Sequence, residues 1–173
     1  TESSSHVEVP TILIGGTQSH GKSSALSRLL QANIGYSSSG TATKRPVFVI
    51  TMNSTNPEFL VYNKSETIRV ERLEEVLSVL EDIMTQDPDI DPVTVLLKLP
   101  GVVGSRYLDL IGLVHNTEGR YQQLSKLAMF CCHKYFNEYI VDGNEYSCAI
   151  FVSKLGAEAA EITWGKVINS VTD

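Results

Sequence analysis

The chain alternates between short apolar runs and stretches of helical periodicity. Val9 to Ile14 is a short apolar run that reads as a buried strand, and Gly15-Gly16 breaks it. From about Lys22 to Ala32, Ala25, Leu26, Leu29 and Leu30 recur at the i, i+3, i+4 spacing of an amphipathic helix. Asn33 to Arg45, rich in Ser, Gly and Thr, reads as a long exposed loop. Pro46 to Met52 and Glu58 to Tyr62 read as strands. Val70 to Met84 reads as a second helix, with Leu73, Val76, Leu77 and Leu80 on one side. After a turn of Asp and Pro over Asp87 to Pro92, Val93 to Leu99 and Tyr107 to Leu110 read as strands. The Pro100 to Ser105 turn between them predicts a hairpin. A third helix over Tyr121 to Tyr139, a buried strand over Ser147 to Val152 and a last helix over Ala157 to Val171 complete the pattern. Strands alternating with helices predict an α/β fold with helices on both faces of a mixed, mostly parallel sheet.

Composition narrows this further. One domain with a real hydrophobic core fits 173 residues, of which 42% are hydrophobic. No apolar run approaches the roughly 18 residues that span a bilayer, and Thr1 to His6 lacks the pattern of a signal peptide. A cytoplasmic location is therefore expected. The net charge of -6, with scattered Lys and Arg, argues against nucleic acid as a partner. Cys131, Cys132 and Cys148 read as reduced thiols. Cys131-Cys132-His133 reads as a partly buried helix face, because adjacent residues do not easily converge on one ion. The glycosylation patterns at Asn53 and Asn63 are expected to be accidental.

The chemistry concentrates in one loop. Gly16-Thr17-Gln18-Ser19-His20-Gly21-Lys22-Ser23 matches the G-x-x-x-x-G-K-[ST] phosphate-binding pattern. Its glycines permit a turn whose backbone N–H groups face inward around the α- and β-phosphates of a nucleotide, and the following helix adds the positive end of its dipole. Lys22 supplies a point charge for the β- and γ-phosphates, and the Ser23 hydroxyl is a ligand for Mg²⁺. An apolar strand ends where the loop begins and an amphipathic helix starts at its lysine, which is the context this motif requires.

Three segments in order, Gly15 to Ser24, Ser39-Gly40-Thr41-Ala42-Thr43-Lys44-Arg45-Pro46 and Asp109-Leu110-Ile111-Gly112, resemble the dynamin superfamily of large GTPases. Gln18, Ser19, Gly21, Lys22, Ser23 and Ser24 match its loop motif, and Thr43, Lys44, Arg45 and Pro46 match the Thr-Arg-Arg-Pro run that ends its switch I. The resemblance spans Val9 to Asp173. It implies a P-loop NTPase G-domain fold, with residues 1–173 forming the N-terminal part of a GTPase domain. It also implies GTP hydrolysis coupled to membrane remodelling, with the organelle-division branch as a narrower expectation.

The same resemblance implies roles for individual residues. Gly16, Gln18, Ser19, His20, Gly21, Lys22, Ser23, Ser24, Gly40 and Gly112 would contact nucleotide. Gln18, Ser19, Lys22 and Thr43 would serve catalysis. Ser23 and Thr43 would ligate Mg²⁺, with Asp109 acting through water. A monovalent cation, K⁺ or Na⁺, self-association across the nucleotide face and oligomerisation are further implications. So is peripheral recruitment to a membrane through parts outside this chain.

For the magnesium-side motif, Lys98-Leu99-Pro100-Gly101 superficially competes with Asp109-x-x-Gly112. Asp109 is preferred because a lysine cannot act through water on a cation. Several positions depart from the family pattern: Ile111 replaces a proline, His20 a small residue, and Ser38 a glycine near the monovalent cation. The guanine-reading Thr-Lys-x-Asp motif is expected after Asp173; Ser153-Lys154-Leu155-Gly156 offers no carboxylate in its place. The rival expectations are a nucleotide-binding scaffold with little or no turnover, and a P-loop ATPase.

Overall fold

A computed structural model describes residues 9–18, 21–30, 43–113, 119, 121–143 and 146–153. Its elements are β1 (Thr11–Gly16), α1 (Lys22–Leu30), β2 (Val47–Asn53), β3 (Glu58–Asn63), β4 (Glu66–Val70), α2 (Leu73–Met84), β5 (Val93–Leu99), β6 (Ser105–Asp109), α3 (Tyr121–Phe136), a π-helical turn (Asn137–Val141) and β7 (Cys148–Val152). The described strands form one sheet in the order β4-β3-β5-β2-β6-β1-β7. The sheet is mixed, as expected. Parallel pairs β1–β6, β1–β7 and β2–β5 are equalled in number by antiparallel pairs β2–β6, β3–β4 and β3–β5.

The period-2 alternation of strand side chains divides the core into two layers. On one face Ile14, Val47 and Val49 pack with Leu26 of α1 and Val76, Leu80, Ile83 and Met84 of α2. On the other, Leu13, Phe48 and Leu108 pack with Leu124, Ala128, Cys131, Cys132 and Tyr135 of α3. Helices therefore cover both faces. The near-continuous apolar run of β2 suits its central place, where both faces are buried. The same packing makes Cys131 and Cys132 interior residues, and no cluster of His, Cys, Asp or Glu among the described residues forms a metal site.

The expected hairpin of the Val93 and Tyr107 strands is not formed. β2 lies between β5 and β6. Their connection arches over the end of β2: Gly101 N–H donates to Asn53 Oδ1 at 2.9 Å, and Thr51 Oγ1–H donates to the Val103 carbonyl at 2.9 Å. A two-residue loop would force its strands to be neighbours, but this longer turn, with Gly101 at φ 75°, has the reach to skip one strand.

A hairpin forms instead between β3 and β4, closed by Lys64 and Ser65, with Asn63 opposite Glu66. It takes Val70 into β4, opposite Phe59, so the second helix starts later than expected, at Leu73. Glu75 supports that start by accepting from the Glu71 N–H at 3.2 Å and from Arg72 Nε at 2.8 Å. The third helix passes into the π-helical turn after Phe136 rather than continuing regularly to Tyr139. The helix expected over residues 157–171 lies outside the described residues.

Candidate phosphate-binding site

Strand directions place the site at one end of the sheet. The carboxyl ends of β1, β6 and β7 share a pole with the amino ends of β2 and β5. At this pole β1 ends at Gly16. A Cβ there would lie 2.4 Å from the Val152 carbonyl oxygen and 3.2 Å from Lys22 Cγ, so only glycine fits. The chain then runs beside the segment that follows β6. Leu110 N–H donates to the Ile14 carbonyl at 3.0 Å, Leu113 N–H to the Gly16 carbonyl at 3.0 Å, and Gln18 N–H to the Leu113 carbonyl at 2.8 Å. A parallel bridge joins Thr17 to Leu113. The loop and the Asp109–Leu113 segment are thus laced together through backbone bonds, independent of side-chain identity.

Gly21, at φ 93°, turns the loop into α1, and its carbonyl accepts the first helical bond from Ala25 N–H at 2.9 Å. Lys22 and Ser23 follow as the first two residues of α1, and both are buried. The Ser23 hydroxyl faces Asp109 Oδ2 at 3.5 Å, the outer limit of a hydrogen bond, and Asp109 is fully buried. Lys22 Nζ lies against Gly112: a Cβ on Gly112 would fall 2.9 Å from that nitrogen and 2.9 Å from Gln18 Cα. An ammonium, a hydroxyl, a carboxylate and a bare glycine backbone therefore converge between β1 and β6. The Thr17 hydroxyl, also buried in this loop, has no hydrogen-bond partner among the described residues.

The geometry separates the two competing magnesium-side motifs. Asp109 is beside Ser23, whereas Lys98 and Gly101 sit at the carboxyl end of β5, which is the opposite pole. Lys98 is paired there with Glu58. The threonine expected in switch I, Thr43, is buried and precedes β2 by four residues. Val47 lies across from Asp109 in the β2–β6 ladder, so Thr43 belongs to the same pole as the loop. Ser24 is exposed on α1. Ser19, His20, Ser38 and Gly40 lie outside the described residues.

A cavity of about 770 Å³ at the far pole, lined by residues including Thr11, Ile50, Met52, Arg106 and Tyr139, shares none of these groups. Two features of the site could not be read from the sequence: the lacing of Leu113 to the loop, and the approach of Val152 to Gly16. Both are long-range backbone contacts.

The family model of the dynamin family matches residues 12–155, from the start of β1 to just past β7. The chain belongs to the dynamin family. It carries that family's GTP-binding GTPase domain in a P-loop G-domain fold, and the converging groups above lie within the matched residues. A search of curated proteins finds no match.

Proposed function

We propose that this dynamin-family domain hydrolyses GTP to GDP and phosphate. The observation that carries the reading is the convergence of Lys22, Ser23, Asp109 and Gly112 between the carboxyl ends of β1 and β6. Phosphoryl transfer calls for charge neutralisation and a positioned water more than covalent chemistry. In this reading backbone amides of the loop hold the α- and β-phosphates, and the Lys22 ammonium bridges toward the γ-phosphate. Gly112, with no side chain, lets its backbone approach that phosphate closely. Gln18, Ser19 and the Thr43 backbone orient the attacking water.

The donor set suits Mg²⁺. One carboxylate and two hydroxyls are hard oxygen ligands, and Mg²⁺ takes its remaining positions from water and phosphate rather than from a protein cage. Ser23 and Thr43 would hold it directly and Asp109 through water; when bound, it would neutralise charge developing on the β- and γ-phosphate oxygens.

The coupled process in this reading is membrane remodelling, of which organelle division is one form, by peripheral recruitment from the cytoplasm and self-association across the nucleotide face. Its support is the family resemblance. A second reading, a nucleotide-binding scaffold without turnover, draws on Ile111. That residue stands where the family has proline and is fully buried against the α3 layer.

GTP turnover by the full-length protein with liposomes separates these readings. We expect measurable hydrolysis that Lys22→Ala reduces by about 100-fold or more, the size of effect that loss of one preorganised charge brings. Tight GTP binding with no phosphate release would favour the scaffold. Labelled GTP should resist excess ATP; equal displacement by both nucleotides would mark the domain as non-selective.

A further inference from the structure

Arg45 is the bulkiest of the fully buried side chains, 1% exposed, and no carboxylate lies within ion-pair distance among the described residues. Its guanidinium is instead held by two neutral acceptors on different segments. Nε donates to the Asp91 carbonyl at 3.0 Å, on the connection into β5. Nη1 donates to Asn63 Oδ1 at 2.6 Å, in the β3–β4 hairpin. Nη2 has no partner. A buried charge bonded this sparsely is a costly way to fill space, since an apolar side chain of similar volume would serve stability as well or better. What the guanidinium adds is a rigid fork that must meet both acceptors at once.

The chain around Arg45 is stitched on one side only. Asp89 N–H donates to the Lys44 carbonyl at 3.2 Å, Val93 N–H to the Pro46 carbonyl at 2.9 Å, and Lys44 N–H contacts Met84 Sδ at 3.3 Å. These bonds all run to α2 or to the segment that leads from it into β5. Arg45 adds a cross-tie to the hairpin, and Thr43 is two residues away.

We propose that Arg45 is a positioning residue for Thr43: its fork ties the end of switch I to the β3–β4 hairpin, so that Asn63, which belongs to no nucleotide motif, helps set where the switch threonine rests. The proposal rests on the reading of Thr43 as a ligand of the triphosphate state. A segment held at both acceptors has one resting place. Lysine, a single point charge, cannot span them.

The test uses Asn63→Ala, Asn63→Asp and Arg45→Lys in the full chain, with GTP turnover, GTP and GDP affinity and melting temperature measured for each. Asn63→Ala and Arg45→Lys should lower kcat by about tenfold, as expected for a lost hydrogen bond to a charged group, with GDP affinity retained because GDP lacks the phosphate that Thr43 would serve. Asn63→Asp, which keeps the acceptor, should restore turnover. Unchanged kcat in both Asn63→Ala and Arg45→Lys overturns the proposal. So does a parallel fall of GDP affinity, GTP affinity and melting temperature, which would assign Arg45 to stability alone. Lys22→Ala is measured alongside: if it keeps full turnover, the hydrolysis reading itself fails and this inference falls with it.

Discussion

At the scale of single residues, two glycines and three cysteines are informative for opposite reasons. Gly16 and Gly112 matter for the side chains they lack. A methyl on Gly16 would meet the Val152 carbonyl oxygen at 2.4 Å, a backbone atom of a neighbouring strand with little freedom to yield. A methyl on Gly112 would meet the flexible end of Lys22 and the Gln18 backbone at 2.9 Å each. Gly112→Ala should therefore leave a folded protein, weakened by about 1–3 kcal/mol, with GTP affinity at least about tenfold lower because the loop and ammonium are pushed aside. Gly16→Ala should be the more destabilised of the two. Urea unfolding and nucleotide titration on both variants check this, and a Gly112→Ala protein with unaltered GTP affinity would contradict the geometry. The cysteines report on packing. Burial pushes the thiols of Cys131 and Cys132 up to about 12, so at pH 8 neither carries appreciable thiolate, while Cys148 is exposed. A colourimetric thiol reagent at pH 8 should titrate one cysteine in the native protein and three in denaturant. Three fast thiols in the native state would mean that α3 does not pack as described.

At the scale of elements, the sequence was informative wherever local pattern decides structure. Buried strands such as β1 and β2 and the apolar face of α2 follow from runs and periodicities within one segment. The loop motif was legible because its glycines, lysine and serine fall at fixed spacing between a strand and a helix. Pairing was not legible in the same way. Val93 to Leu99 and Tyr107 to Leu110 read as strands, but nothing in Val93 to Leu110 says that β2 lies between them. That outcome depends on β2 being apolar enough to take the centre of the sheet. β4 escaped notice because it is short, polar and largely exposed, and the turn before it closes through Lys64 at φ 54° without the glycine that ordinarily signals such a hairpin. That hairpin presents Asn63 to Arg45. A motif residue is visible in sequence, whereas the residue that holds it in place is visible only once distant elements have been packed.

At the scale of the whole molecule, the sheet has two chemically distinct ends. The pole where β1, β6 and β7 terminate gathers Lys22, Ser23, Asp109, Gly112 and Thr43, and the α1 and α3 layers meet the sheet behind it. The opposite pole carries the connection over β2 and a cavity of about 770 Å³, remote from these groups. The match to the dynamin family extends across the sheet from β1 to β7, so both ends belong to one domain. The central claim is that the first pole holds a metal–triphosphate complex. Equilibrium binding of GTP, with Mg²⁺ and with a chelator, to the wild type and to Ser23→Ala tests it most directly. The account predicts that Mg²⁺ strengthens GTP binding to the wild type, and that Ser23→Ala binds metal-free GTP as the wild type does but gains little from the metal. GTP affinity indifferent to Mg²⁺ in the wild type, or a full metal response in Ser23→Ala, would contradict it.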